Sequence, residues 1–186
     1  MARHRLLCSS AAWRSRMESI CAVAIALVAN GYLTEQVVEG VCANQSVLHD
    51  VERTTGVSAA RVVCVARKET DWNGALRGSS GECGITQVLP GKHKCADLQV
   101  DTYAIRTTAA LLGRNGYAGK KARRYCGSDT ACVTRTALAV YNAGQSGVSS
   151  KRRKKWLRGQ RYATAVLRCE AVLLGVSRLL YSRDKT

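Results

Sequence analysis

Apolar residues recur at helical spacing through most of the chain, and glycine or polar clusters separate the segments that show this pattern. Residues 45–54 form the first such segment, with Ser46 as a candidate N-cap and Gly56 as its end. Ser58 is a candidate cap for the next segment, which is rich in valine and runs from residue 59 to about residue 71. The pattern predicts two consecutive helices joined by a short turn.

Three further helices are predicted downstream, over residues 102–113, 130–143 and 161–182. Gly144 follows the second of these and is a candidate C-cap. The stretches between the three helices are polar and basic, and we predict loops over 114–129 and 145–160.

Glycines punctuate the chain after the valine-rich helix, at positions 74, 78, 81 and 84. This spacing is typical of tight turns or of a small hairpin. The chain shows no internal repeat. The predicted fold class is therefore mostly α, of the α+β type, with a helical domain and one small glycine-rich β-hairpin or loop segment.

The N-terminal residues 1–30 combine four arginines with an uninterrupted apolar run over 20–29. A basic stretch before a short apolar run is typical of an export signal, and the run is too short for a comfortable membrane span. The alternative is an apolar helix at the start of the mature fold. We therefore expect residues 31–186 to form one domain that is exported, or carried by another route such as a phage particle.

The chain of 186 residues carries a net charge of +16, and this surplus bears on its partners. Nucleic acid, an anionic membrane surface and an acidic polymer such as a cell wall are the three candidates, beside simple solubility. Two basic runs, 120–124 and 151–155, lack interleaved aromatic residues. No nucleic-acid-binding module is recognisable, which disfavours nucleic acid. Apolar residues at 46% and charged residues at 23% are ordinary for a globular protein.

Nine cysteines are present, and they lack the tight Cys/His pairs of a zinc site. We expect disulfides and an oxidising compartment instead. Cys83 with Cys95, and Cys126 with Cys132, bracket short polar segments and are the two predicted pairs. The sequence predicts no partner for the other five cysteines, which are Cys8, Cys21, Cys42, Cys64 and Cys169. Cys8 and Cys21 are expected in the leader, and Cys64 is expected to be a buried thiol.

Glu69 lies near the end of the valine-rich helix. The negative end of the helix dipole disfavours ionisation of a carboxyl there, and burial acts in the same direction. A glutamic acid that keeps its proton near neutral pH suits general-acid cleavage of a glycosidic bond. From the helix by itself, a solvated glutamate at a helix end is the favoured interpretation.

Three segments follow one another in order: Glu69-Thr-Asp-Trp-Asn73, Gly81-Glu-Cys-Gly-Ile-Thr-Gln-Val-Leu-Pro90 and Ala137-Leu-Ala-Val-Tyr-Asn-Ala-Gly144. Together they resemble the soluble lytic transglycosylase family, which is related to goose-type lysozyme. The resemblance covers about residues 45 to 168. It implies a lysozyme-like fold in which the glycine-rich segment borders an active-site groove for peptidoglycan.

The resemblance implies roles for individual positions. Glu69 would act as the acid and then as the base, and Gln87 would contact the substrate. Tyr141 would hydrogen-bond near the glutamate, and Asn142 would fix the turn or contact a sugar. Trp72 would either stack on a sugar beside the acid or pack in the core.

Several positions depart from the family pattern. Thr70 replaces a serine and keeps the hydroxyl, and Thr86 replaces a methionine, which predicts a more polar wall of the groove. A serine expected after the glutamate falls on Gly78, so that Ser79 or the adjacent Ser80 would have to support the acid.

No second acid accompanies Glu69 in a matching motif, whereas most glycosidases use two carboxylates. Asp71 would point to a different face of a continuing helix. Glu82 and Asp97 carry no supporting pattern. The resemblance thus implies a lytic transglycosylase that leaves a 1,6-anhydro sugar, without metal or cofactor, in a periplasmic, extracellular or virion-associated setting.

Two alternatives remain open at this point: a muramidase that uses water on the same substrate, and a non-catalytic basic wall-binding or virion protein. A secretion, conjugation or phage apparatus is an expected partner besides the glycan strands.

Overall fold

The computed structural model describes residues 10–144 and 153–183, and side-chain burial for 20–144 and 153–175. Within these ranges the protein is mostly helical, as predicted. The helices are α1 (Ser10–Ala29), α2 (Glu35–Ala43), α3 (Gln45–Thr55), α4 (Ala59–Thr70), α5 (Cys95–Leu98), α6 (Asp101–Leu112), α7 (Tyr117–Cys126), α8 (Thr130–Ala143) and α9 (Arg153–Arg183).

The helix ends follow local chemistry, and most of the predicted ends are confirmed. The Ser58 hydroxyl accepts a hydrogen bond from the Arg61 amide at 3.2 Å, which caps α4. Gly56 ends α3 in the left-handed conformation, with φ of 71°. The predicted cap at Ser46 is wrong, because α3 begins at Gln45 and Asn44 is its N-cap.

Two predicted loops are helical instead. Residues 117–126 form α7, and α9 begins at Arg153, inside the stretch that was predicted as loop; residues 145–152 lie outside the described part of the chain. The buried face of α7 consists of Ala118, Gly119 and Ala122. Small and apolar residues do recur at helical spacing in this segment, but the surrounding lysines and arginines dominate the composition on which the loop prediction rested.

The glycine-rich segment between α4 and α5 consists of turns, and the predicted hairpin is wrong. The β-pairing described in this segment consists of two isolated antiparallel bridges, between Arg77 and Cys83 and between Cys83 and Val88. Gly81 and Gly84 adopt positive φ of 87° and 76°, which interrupts any extended run. The loop alternative of that prediction is therefore the one that the structure contains.

Helix α4 lies in the centre of the core. Its residues 62–66 are all buried, as expected of a helix that is apolar on nearly every side. It packs chiefly against α9, with further contacts to α2, α3 and α6, while α8 packs between α7 and α9. The apolar face of α1, including Val23 and Leu27, belongs to the same core.

Disulfides join four pairs of cysteines in the described residues. Cys83–Cys95 and Cys126–Cys132 are the pairs that the spacing predicted. Cys21, expected in a leader, is bonded to Cys42, which links α1 to α2. Cys64, expected as a simple buried thiol, is bonded to Cys169, which links α4 to α9. Among the described helices, none is both long and apolar enough to cross a membrane.

Candidate active site

A groove with a cavity volume of about 670 Å³ lies where the end of α4 meets the glycine-rich segment. The ends of α6 and α8 and the starts of α7 and α9 complete its walls. Its lining residues are Glu69, Gly78, Ser79, Ser80, Glu82, Gln87, Val88, Leu89, Leu111, Tyr117, Ala118, Val140, Tyr141, Asn142, Ala143, Gly144 and Arg158.

Glu69 occupies the last turn of α4 and lies half-buried in the wall of this groove. Burial raises the pKa of its carboxyl from 4.5 to about 7, and the negative charge of Glu82 adds to this shift. The Tyr162 hydroxyl, Lys68 and Arg158 act in the opposite direction. The raised pKa means that a large fraction of Glu69 keeps its proton at neutral pH.

Tyr162 is a residue of this site that the sequence analysis did not identify. It lies on α9 and is 6% exposed, and its hydroxyl oxygen is buried without a partner in hydrogen-bonding geometry among the described residues. The hydroxyl and the Glu69 carboxyl nevertheless influence each other: burial and then the charge of Glu69 raise the pKa of Tyr162 well above its usual value. No nearby motif marks this tyrosine, because only the packing of α9 on α4 brings it to the acid.

The buried side chain of Trp72 anchors the backbone that follows Glu69, and it does not line the groove. Its ring is 4% exposed, and its indole nitrogen donates to Asp101 at 2.8 Å. The ring lies so close to Gly40 of α2 that a Cβ there would overlap it. Of the two roles expected for Trp72, packing in the core is the one that the structure contains. Asp71 and Trp72 both have positive φ, which turns the chain sharply out of α4.

A hydroxyl network attaches the segment around Thr86 to three helices. Thr70 of α4 donates to the Ile85 carbonyl at 2.8 Å, and Tyr141 of α8 donates to the Thr86 carbonyl at 2.7 Å. Thr108 of α6 donates to the Thr86 hydroxyl at 2.8 Å. Thr86 is fully buried and lines no part of the groove, so the prediction of a more polar groove wall at this position is wrong.

Gln87 lines the groove with a backbone φ of 50°, and its side-chain amide donates to the Leu76 and Gly84 carbonyls. These two bonds hold the side chain in one orientation. Gly78 lies beside it, at the position where a serine was expected. A Cβ at Gly78 would overlap the Glu82 carboxylate and crowd the Gln87 amide oxygen, so a serine there would force both side chains to move.

The remaining predicted residues on the groove are Ser79, Tyr141 and Asn142. Ser79 is exposed at the rim, whereas the Tyr141 hydroxyl is engaged with the Thr86 carbonyl instead of with the acid. The side-chain oxygen of Asn142 is buried without a partner in the described residues.

Glu82 is the second carboxylate on the groove. One of its oxygens accepts a hydrogen bond from the Ser80 amide at 2.9 Å, which orients the carboxylate. Asp71 and Asp97, the other acids considered, do not line the groove. Sequence patterns gave no support to Glu82, because its approach to Glu69 depends on how the glycine-rich segment folds back.

The described residues contain no group of three or more His, Cys, Asp or Glu side chains that could hold a metal ion. The groove instead presents hydroxyls, amides and two carboxyls, which are groups that bind and protonate sugars. No family model, no curated protein and no solved structure matches this chain.

Proposed function

We propose that the protein is a peptidoglycan lytic transglycosylase in which Glu69 is the catalytic acid and then the base. The observation that carries the proposal is a half-buried glutamic acid in an open groove, with its pKa raised to about 7. A carboxyl with this pKa divides its time between the protonated and the ionised form at neutral pH. One residue can then serve both steps of the reaction.

In the first step, protonated Glu69 donates its proton to the glycosidic oxygen between MurNAc and GlcNAc. The bond from C1 to that oxygen breaks, and its electron pair leaves with the oxygen, so that positive charge develops at C1 of MurNAc. The Glu69 carboxylate formed in this step stabilises the developing charge, and the Tyr162 hydroxyl can donate a hydrogen bond to that carboxylate.

In the second step, the C6 hydroxyl of the same MurNAc attacks C1. The Glu69 carboxylate accepts the hydroxyl proton as the C6 oxygen-to-C1 bond forms. The product carries a 1,6-anhydro ring, the acid is regenerated, and no water is consumed. The reaction needs no carboxylate other than Glu69.

The groove walls supply the contacts that a glycan strand requires. Leu89 is 58% exposed and Tyr117 is 47% exposed, and both line the groove. Such apolar faces pack against the C–H faces of sugar rings, and a tyrosine also keeps a polar tip in water. The amides of Gln87 and Asn142 and the hydroxyl of Ser79 provide partners for the sugar hydroxyls and N-acetyl groups.

A hydrolytic muramidase is the second candidate, and Glu82 is the observation that favours it. Two carboxyls that flank a glycosidic bond can divide the roles of acid and water-activating base. The pattern of the three segments around Glu69, Gln87 and Tyr141 supports the transglycosylase instead, through its resemblance to that family.

Mass spectrometry of the muropeptides released from purified peptidoglycan tests the two reactions directly. The transglycosylase leaves MurNAc ends that are lighter by one water than those of a lysozyme digest. Products that carry the full water would replace the transglycosylase with the hydrolase. The four disulfides are compatible with an oxidising compartment, so the assay uses oxidised protein.

Replacing Glu82 by glutamine separates the same two mechanisms by rate. We expect E82Q to keep wall-lysis activity within about tenfold of wild type, whereas loss of a required acid or base costs ~10²–10⁴-fold. Removing the like charge also lowers the pKa of Glu69, so the alkaline limb of the activity profile moves to lower pH. A loss as severe as that of a Glu69 variant would identify Glu82 as a catalytic base.

Replacing Tyr162 by phenylalanine changes the pH profile in the opposite direction. The hydroxyl lowers the pKa of Glu69, so its removal raises that pKa. The alkaline limb of kcat/KM, measured by the turbidity of wall suspensions, therefore moves to higher pH, with a loss of about tenfold or less at the optimum. The exposed Tyr125→Phe serves as the control. An unchanged limb in Y162F would show that this hydroxyl does not act on Glu69.

A further inference from the structure

A second cavity of about 540 Å³ lies away from the groove and shares no lining residue with it. It is formed where the end of α6 and the middle of α7 face the first half of α8 and the α3–α4 turn. The lining residues that bear on its chemistry are Arg61, Arg114, Arg123, Ser128, Thr130 and Thr134. This volume is typical of a small-molecule site.

The charges that line this cavity are all positive: Arg61, Arg114 and Arg123, with no Asp or Glu among the lining residues. Arg61 is already neutralised, because its Nε donates to Glu170 at 3.0 Å, where the Ser58 hydroxyl also donates. The positive charges of Arg114 and Arg123 have no ion-pair partner among the described residues.

Arg123 lies half-buried in the wall of the cavity. Its Nη1 atom is fully buried and has no hydrogen-bond partner in the described part of the chain. Guanidinium groups that are shielded from water are normally paired and hydrogen-bonded, so the half-buried and uncompensated charge of Arg123 in the cavity wall favours an anion beside it. Asp129, next to Ser128 of the cavity lining, caps α8 by accepting from the Ala131 and Cys132 amides at 3.0 Å, and it forms no ion pair with Arg123 among the described residues.

We propose that this cavity is a binding site for a phosphate group. Two guanidinium groups and the hydroxyls of Ser128, Thr130 and Thr134 offer more donors than the two oxygens of a carboxylate can accept. The three or more oxygens of a phosphate match them, and guanidinium pairs with phosphate in a bidentate manner. The Cys126–Cys132 disulfide fixes the Gly127–Asp129 loop that carries part of the site.

Two sources share this chemistry, free inorganic phosphate and the phosphate of a phosphorylated sugar. The volume of the cavity exceeds the needs of a single oxyanion and leaves space for a sugar beside it. The site does not depend on the reaction proposed for Glu69, since no residue is common to the two cavities.

Calorimetric titration of the oxidised full-length protein tests the proposal. Sodium phosphate and glucose 6-phosphate are the probes, and sodium chloride at equal ionic strength and glucose are the blanks. We expect saturable binding of at least one phosphate probe and of neither blank. Tighter binding of glucose 6-phosphate identifies the sugar phosphate as the source, and tighter binding of phosphate identifies the free ion; either result supports the site.

Three variants distinguish the site from general attraction to a basic protein. Arg123→Gln should weaken phosphate binding by about tenfold or more, as for the loss of a charge-assisted hydrogen bond. Arg124→Gln removes the same charge from the neighbouring exposed position of α7, outside the cavity, and should change the affinity by less than about twofold. Arg114→Gln, at an exposed position, repeats the test if Arg123→Gln does not fold.

Equal losses in Arg123→Gln and Arg124→Gln, or no phosphate binding by the wild type, would overturn the proposal. Glu69→Gln should bind phosphate as the wild type does, which separates failure of this site from failure of the proposed catalytic site.

Discussion

Glu69→Gln is expected to lower peptidoglycan lysis by about 10³-fold or more while the protein stays folded. Glutamine has the shape of glutamic acid but has no acidic proton to donate to the glycosidic oxygen and no carboxylate to take up the C6 hydroxyl proton. Both steps of the proposed reaction therefore fail together. Zymography on purified cell walls and turbidity assays measure the loss, and circular dichroism establishes the fold.

Glu52→Gln is the matched control for this variant, because Glu52 is an exposed glutamate on α3, outside the groove. It should lyse walls as the wild type does. Equal lysis by Glu69→Gln and the wild type would remove Glu69 from the mechanism. No lysis by the wild type itself would favour the non-catalytic wall-binding alternative.

The stability of Glu69→Gln should change in the direction opposite to its activity. The pKa of Glu69 is about 7 in the folded protein, against its ordinary value of 4.5. The ionised form of Glu69 is therefore less stable in the folded protein than in the unfolded chain. The wild type consequently loses stability as the pH rises from about 4.5 to about 7, a loss that glutamine does not suffer. We expect the free energy of unfolding of the variant to be at least that of the wild type at pH 8.

The second large effect is expected from removal of the Cys64–Cys169 disulfide. This bond spans 105 residues of sequence and joins the central helix α4 to α9. In the chain-entropy model, a cross-link of that span stabilises by about 4–5 kcal/mol, because it excludes many conformations of the unfolded chain. The double variant Cys64→Ala/Cys169→Ala should lose about that much free energy of unfolding, measured by urea denaturation.

Removal of the Cys126–Cys132 disulfide by the corresponding double alanine variant provides the comparison. Its separation is only 6 residues, for which the same model gives about 2 kcal/mol. The larger loss should therefore come from the longer cross-link. A reversed order would mean that local packing outweighs the entropy of the unfolded chain at these two sites.

Local chemistry made several features of the fold predictable. Helices α3, α4, α6 and α8 follow from apolar spacing, and the ends at Gly56, Ser58 and Gly144 follow from the backbone freedom of glycine and the capping capacity of serine. The two short-range disulfides followed from cysteines that bracket short segments. Each of these features depends on residues that are close in sequence.

Other features could not be read from local patterns. The apolar face of α7 is so small that the basic composition of the segment outweighed it in the prediction, and the isolated bridges of the glycine-rich segment did not extend into a hairpin. Trp72 was compatible with either the groove or the core until Gly40 and Asp101 fixed its position. A residue type restricts the possible environments of a side chain, but the neighbours on other helices select one.

The candidate site likewise has one part that the sequence predicts and one part that depends on the tertiary structure. The sequence by itself determined that a glutamate lies near the end of a valine-rich helix, and it placed Gln87 and Tyr141 in the two later segments on which the proposed resemblance rests. Only the tertiary structure decided that the buried Tyr162 lies beside Glu69, that Glu82 shares the groove with it, that Thr86 is buried behind the groove, and that α9 is cross-linked to α4. The physical reason is that the pKa of a carboxyl depends on burial and on charges that lie near it in space. Those surroundings come from segments far away along the chain, so they exist only once the helices have packed.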